Sequence, residues 1–370
     1  MDKLKFKNGK FRILQLSDMQ DTWRTSPDTV NYIHRAIEAV KPDLIVLTGD
    51  QVKGYGFNFY FGDNRKKAKI TIDNLLKPIA ESGTPFTAVF GNHDEFGTAT
   101  KDFQWRCYGN YGNFIGVDYN FDCIKIFSED GRDIPFCVYL FDSGSKRKDG
   151  SYDIISEEQI NRYKNTRDEL ESLYGHTVKA LAFQHIPPVE IYDCLKRVKG
   201  HTKGAVRGNR KFSDKFYELP EYAKNKSSFM GENAASPDEK SGQIEAFAEK
   251  NDVIGLYFGH DHNNSFTVKC GGLDLGYTQC CGFNIYGPGL NRGGRVFDIS
   301  ESQPEKYGTF TVTYRDAAGR KLKKPVKEFI YTHSPSSVAQ AKRAAAKALF
   351  SAAAIAVGTV ALKNIVKRKT

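Results

Sequence analysis

Residues 256–258 form a short apolar run that ends in Gly259-His260-Asp261-His262, two imidazoles one residue apart. Strand residues i and i+2 point to the same side. At a strand end, that spacing delivers two nitrogen ligands to one place, or one to each of two adjacent metals. Four other apolar runs end in related chemistry. Residues 11–16 lead into Ser17-Asp18-Met19-Gln20-Asp21, and residues 44–47 into Thr48-Gly49-Asp50. Residues 86–90 lead into Gly91-Asn92-His93-Asp94, and residues 178–183 into Gln184-His185-Ile186-Pro187. Carboxylate, amide oxygen and imidazole together suit hard or borderline divalent metals, not a soft thiolate site. Each junction alone has a plain structural use: Asp18 or Asp50 as a helix N-cap, Asn92 in a left-handed turn, His185 as a hydrogen-bonded core histidine. Five junctions in series are instead what an α/β enzyme needs, because ligands bind outside the carboxyl ends of its strands.

Phosphoester chemistry is one use of such a donor set. Anionic oxygens repel a nucleophile, and two neighbouring divalent cations neutralise that charge and lower the pKa of a bound water. In this order the blocks resemble the signature of the calcineurin-like metallophosphoesterases: Asp-x-His, Gly-Asp, Gly-Asn-His-Asp/Glu, His, Gly-His-x-His. The chain matches every block except one position, and the likeness covers roughly residues 10–300. Gln279-Cys280-Cys281-Gly282-Phe283-Asn284-Ile285-Tyr286-Gly287 and residues 292–296 are similar to the purple-acid-phosphatase-like branch of plants, fungi and bacteria.

The resemblance implies a dimetal-dependent phosphoester hydrolase in which a metal-activated hydroxide attacks a phosphate mono- or diester. Asp50 would bridge the two ions; Asp18 and His262 would bind the first, and Asn92, His185 and His260 the second. His93 would stay off the metals and protonate the leaving oxygen or hold a phosphoryl oxygen, with Asp94 orienting its ring. The departure is Gln20, where the family usually has a histidine ligand. An amide oxygen is a harder donor than imidazole, so the two ions, drawn from Mn, Mg, Zn or Fe, would include Mn or Mg at the first site, with Asp21 as an alternative donor. The tyrosine ligand of true purple acid phosphatases is not evident. A second reading follows from Gln20: a phosphoesterase-fold binding or regulatory module with an impaired first metal site.

The positioning elements are legible as alternating patterns. Ser26-Pro27-Asp28 reads as an N-cap, an N1 proline and an early acid, and the helix it opens is followed by a strand over 43–48. Strand, helix, strand favours parallel pairing. Residues 65–82 and 156–173 read as helices, the second with Ser156 and Gln159 in capping-box register. Residues 121–127 and 135–141 read as a strand pair, residues 241–249 as a helix, and residues 265–269, 273–279, 295–299, 308–315 and 326–332 as strands. Residues 97–120 give no clear pattern. Helices early and strands late fit two packed sheets flanked by helices. The resemblance implies the same α/β architecture, a four-layer α/β/β/α sandwich of two mixed sheets. The aromatic loop 54–62 is either a hydrophobic plug or a wall beside the metals.

The formal net charge of +10 is concentrated: residues 196–226 and 333–370 each carry +7, leaving the remainder at −4. That distribution argues against nucleic acid as a partner; a small phosphoester is the expected one, and no protein partner is indicated. The expected domain spans 1–332, with a basic insert at about 189–240 whose Arg207 and Arg210 either form a solvated loop or hold an anionic substrate. Residues 333–370 read as a basic, Ala-rich helical tail. Its fifteen uncharged residues 348–362 span about 22 Å as a helix, short of a bilayer core of roughly 30 Å. Membrane attachment and a packed C-terminal helix both stay open there. Seven scattered cysteines predict buried thiols, not a disulfide framework. Residues 1–10 have no apolar stretch of the signal-peptide kind, so the expected compartment is the cytoplasm.

Overall fold

The computed structural model describes residues 3–334 and Ala345. The expected helical or membrane-attached segment 348–362 lies outside the described residues. Among the described residues no helix is long and apolar enough to cross a membrane.

Lys10–Leu16 (β1), Leu44–Thr48 (β2) and Phe86–Val89 (β3) come first, then Phe121–Ile126 (β4), Phe136–Phe141 (β5) and Lys179–Phe183 (β6). The short strands Lys196–Val198 (β7), Val206–Arg207 (β8), Phe216–Glu218 (β9) and Phe229–Met230 (β10) follow. Val253–Phe258 (β11), Asn264–Cys270 (β12), Leu273–Tyr277 (β13), Gly293–Ser300 (β14) and Gly308–Thr313 (β15) come last. One sheet has the order β15-β14-β1-β2-β3 and the other β10-β12-β13-β11-β6-β5-β4. Pairing is parallel from β1 through β3, and again across β13, β11, β6 and β5. The strand–helix–strand start therefore pairs as its pattern predicts.

Period-two alternation sorts these strands into layers. Ile13, Leu44, Val46, Leu181, Phe183 and Phe297 meet between the sheets in one core. Their neighbours Leu14, Leu16, Ile45 and Leu47 face the opposite way, onto helices Pro27–Val40 and Asn64–Ser82. Ala180, Ala182, Leu256 and Phe258 likewise face outward, onto helices Glu157–Tyr174 and Gln243–Ala248. Helix, sheet, sheet, helix is the four-layer sandwich. Two of its helices start where side chains satisfy free amides: Ser26 accepts from the Asp28 N–H, and Ser156 and Gln159 form a reciprocal capping box.

Three segments depart from expectation. Residues 326–332 are not a strand; Pro325–His333 is a helix, with proline at its first turn. Val326, Phe329 and Ile330 fall at i, i+3 and i+4 on it, all exposed, so hydrophobicity there reports a helix face and not a pleat. The unassigned stretch 97–120 contains helix Lys101–Tyr108, capped by Thr100. The basic insert, for which the sequence indicates no strands, folds β7, β9 and β8 into a small antiparallel sheet. Strands of two or three residues are too short to show a period.

Candidate metal centre

The parallel pairing puts the carboxyl ends of β1, β2 and β3 side by side, and those of β6 and β11 face them from the other sheet. Asp18, Asp50 and the Gly91–Asp94 turn therefore arrive from one sheet, and His185, His260 and His262 from the other. A hydrogen bond links the two, from His260 N–H to Asp18 Oδ2 at 2.9 Å, while within each sheet Gly259 N–H donates to His185 O and Asp18 N–H to Gly49 O, both at 3.1 Å. Asp18, Gln20, Asp50 and His260 all take positive φ, between 34° and 73°. Non-glycine residues rarely occupy that region, and where they do they concentrate at functional sites. Glycines make the approach close. A Cβ on Gly91 would overlap the Asp50 carboxylate, and one on Gly259 would overlap Ser17 and Asp18.

Ligand-type atoms converge at this junction. One donor atom each from Asp18, Asp50 and His185 lies within 4.8 Å of the others, all three residues buried. His185 Nε2 stands 3.4 Å from Asp50 Oδ2 and 4.0 Å from Asp18 Oδ1, and His262 Nε2 is 3.4 Å from Asp18 Oδ1. His260 Nδ1 lies 3.3 Å from His185 Nε2. Two of the rings are oriented from behind. His185 Nδ1 donates to Thr48 O at 2.8 Å and His262 Nδ1 to Tyr286 O at 2.9 Å, which turns each Nε2 toward the carboxylates. The Tyr286 ring stacks on His262 at 4.2 Å.

Buried opposite charges set the electrostatics: at His262, burial is outweighed by Asp18, which raises the ring well above its ordinary value. Burial opposes ionisation of Asp50, yet His185 and His93 outweigh it and hold the carboxyl below the ordinary carboxylate range. Burial is likewise overcome at His185, which Asp50 and Asp18 push up to about 9. His260 is instead pushed down to about 3, by burial and by the charge on His185. Asp18 Oδ1, Asn92 Oδ1 and His260 Nε2 are buried with no hydrogen-bond partner. Polar atoms in that state are costly unless a ligand satisfies them. Two buried carboxylates, unpartnered oxygen and nitrogen atoms, and pre-oriented imidazoles fit a divalent cation.

A cleft of about 770 Å³ opens onto this junction. Gln20, Asp50, Asn92, His93, His260 and His262 line it, and so do Arg207 and Arg210 of the insert. Arg210 is engaged elsewhere, with Asp238 at 2.8 Å, whereas Arg207 donates only to the Ser213 carbonyl. Gln20 touches the centre through its amide nitrogen, which donates to Asp50 Oδ2 at 2.6 Å while Tyr55 OH donates to its oxygen at 3.2 Å. Asp21 turns away: its carboxylate accepts from Thr22 N–H and Ser26 N–H, and from the Asn284 amide. It is therefore not the alternative donor.

His93 gives its backbone N–H to Asp50 Oδ1 at 2.8 Å, and its ring lies 4.4 Å from that of Tyr55. Asp94 does not orient that ring. Its carboxylate, pushed up to about 7 by burial and by Asp50, accepts the backbone N–H groups of Asp50, Val52 and Gly91. It braces the two turns that carry Asp50 and Asn92. The aromatic loop divides between its two readings: Phe59 is buried against Phe96, Tyr55 lines the cleft, and Phe57, Tyr60 and Phe61 are exposed.

Other residues at the cleft escaped the sequence reading. Glu232 is buried and accepts from Asn263 N–H and Tyr286 OH, and Lys146 and Tyr152 add to the wall. None of the three belongs to a motif. Tyr286, which backs His262, lies in the Gln279–Gly287 block and carried a signal.

A family model described as calcineurin-like phosphoesterase matches residues 11–264. The chain is 28% identical over 351 residues to "Probable inactive purple acid phosphatase 14" of Arabidopsis thaliana, covering 81% of this chain and 77% of that protein. It is 23% identical to "Phosphatase DCR2" of Saccharomyces cerevisiae, covering 70% of this chain and 45% of the yeast protein. A solved dimetal phosphatase from Danio rerio aligns over 82% of this chain and 99% of its own, with TM-score 0.48 and 12% identity. With the matched segment spanning all five strand-end blocks, the chain belongs to the calcineurin-like phosphoesterase family.

Proposed function

We propose that this chain is a dimetal phosphoesterase that hydrolyses a small phosphate mono- or diester in the cleft above Asp50. The observation that carries the reading is the set of unpartnered buried atoms, Asp18 Oδ1, Asn92 Oδ1 and His260 Nε2, beside imidazoles already pinned through Nδ1. Asp50 would be shared by both ions; Asp18 and His262 would hold one, and Asn92, His185 and His260 the other. When bound, the ions supply charge neutralisation and a water of lowered pKa. His93 meets the substrate on the open side and gives a proton to the leaving oxygen or holds a phosphoryl oxygen. Asp94 keeps the Asp50 and Asn92 turns in register. The test is hydrolysis of generic mono- and diester substrates by purified protein across Mn, Mg, Zn and Fe.

Gln20 decides the metal preference. Its oxygen must face the first ion to bind it, which exchanges the amide ends and gives up the bond from Tyr55. An amide oxygen so presented favours Mn or Mg over Zn or Fe. Gln20→His should tighten the first ion and shift preference toward Zn or Fe, read by elemental analysis beside activity for each ion. Identical metal content and preference in the two proteins would remove Gln20 from the ligand set.

Arg207 and Arg210 supply cations at the cleft wall. Neutralising both should raise KM for a multiply charged phosphate substrate several-fold, and for a small aryl phosphate less. Because Arg210 also pairs with Asp238, Arg207→Gln alone should give most of the effect while giving up only the bond to the Ser213 carbonyl. Equal kinetics on both substrates would leave these two cations no role in substrate binding.

A second reading is favoured by the name of the Arabidopsis relative and by Gln20: a binding or regulatory module on this fold. Protein that takes up metal but turns over neither ester class with any of the four ions would support it.

A further inference from the structure

A cavity of about 420 Å³ lies where β12 meets β14 and β15, and it shares no lining residue with the metal cleft. Arg295 is in its wall, with Ser265 and Thr267 of β12 and Thr309 and Thr311 of β15. Arg295 is only 5% exposed. Its Nη2 donates to Tyr277 O at 2.9 Å, but Nη2 reaches the Ser265 hydroxyl and Nη1 the Thr309 hydroxyl only at 3.4 Å. Its Nε has no acceptor, and Thr267 Oγ1 in the same wall is also buried without a partner.

No carboxylate among the described residues pairs with this guanidinium. Burial pulls Arg295 below its ordinary pKa, and the nearest compensation comes from Tyr257 and Tyr307. The Tyr257 ring stands 5.6 Å away. Arg167, just as buried, shows the usual arrangement: Asp168 lies at 2.9 Å and Glu249 at 3.2 Å. A guanidinium stays charged even when buried, and a buried charge without a counter-charge is costly. A forked donor facing hydroxyls in a concave wall matches an oxyanion.

We propose that Arg295 anchors a second ligand site that takes an oxyanion carried on an organic body. The body is required because the cavity is several times larger than a bare oxyanion, and Phe266, Phe310 and Tyr222 give it apolar walls. Arg295 receives the anionic head, with Thr309 and Ser265 completing the donors, and the aromatic side chains cover part of the remainder; Asp274, also in the wall, is already neutralised by Lys269 at 2.7 Å and accepts from Tyr307 OH at 2.7 Å. A phosphoryl and a carboxylate head share this chemistry.

The test is calorimetric titration of metal-free, full-length protein with phenylphosphonate and, separately, benzoate. At least one should bind, and the tighter of the two identifies the head group. Arg295→Met should weaken that binding at least tenfold and Thr309→Val several-fold, while Asp50→Ala leaves it unchanged. If Arg295→Met fails to fold, the near-isosteric Thr309→Val decides alone. The proposal is overturned if neither compound binds at millimolar concentration, if Thr309→Val binds as wild type does, or if Asp50→Ala abolishes binding, which would assign it to the metal cleft.

Discussion

Asp50→Ala should abolish phosphoester hydrolysis and empty both metal positions. The carboxylate is fully buried, sits 3.4 Å from His185 Nε2, and accepts from the His93 backbone N–H at 2.8 Å. No neighbouring side chain can take over a shared position: Asp94 is engaged by three backbone amides, and Asp21 by the turn before helix Pro27–Val40. Charge stabilisation by bound metal is worth several kcal/mol, and each 1.36 kcal/mol is tenfold in rate, so turnover should fall by about 10³-fold or more. Metal content, measured by elemental analysis, should fall with it. Because Asp50 also braces the apo site, the melting temperature of the variant is the control, and Asp50→Asn keeps the shape while halving the donor capacity. Retention of both ions at wild-type occupancy in Asp50→Ala would sink the shared-ligand role.

His93→Ala should separate chemistry from metal binding. The contact that ties residue 93 to Asp50 is made by its backbone N–H, and alanine keeps that group. The side chain alone is lost, so both ions should stay at wild-type content. Turnover should fall by about 10²–10⁴-fold, the range for a positioned general acid. The loss should be greater for an alkyl phosphate than for an aryl phosphate, since a good leaving group has less need of a proton. Full activity on every substrate, with metals bound, would exclude His93 from proton transfer and from holding the phosphoryl group.

The Asp94 assignment shows where reading from sequence went astray. Adjacent to His93, it looked placed to orient that imidazole. Yet neighbours along a tight turn point apart, and the Asp94 carboxylate faces inward to Asp50, Gly91 and Val52 N–H groups. Gln20 was legible as the position that departs from the family, but its hydrogen bond to Asp50 was not, because it depends on the β1 and β2 turns lying side by side. Residues 326–332 misled for another reason: Val326, Phe329 and Ile330 lie on the surface, where apolar spacing no longer reports a buried face.

The order of the chemistry along the chain was determined by the sequence itself. Apolar runs ending in Asp, Asn and His declare both the strands and the donors they carry, since a period-two pattern and a turn residue are local properties. The tertiary structure alone decided which donors meet. His185 Nδ1 finds Thr48 O, and His262 Nε2 finds Asp18 Oδ1, only when two sheets from distant parts of the chain pack face to face. The same packing buries Arg295 without a paired carboxylate among the described residues and leaves Asp18 Oδ1, Asn92 Oδ1 and His260 Nε2 without partners. Whether a buried polar atom is satisfied depends on everything that surrounds it in space, and no spacing along the chain encodes that.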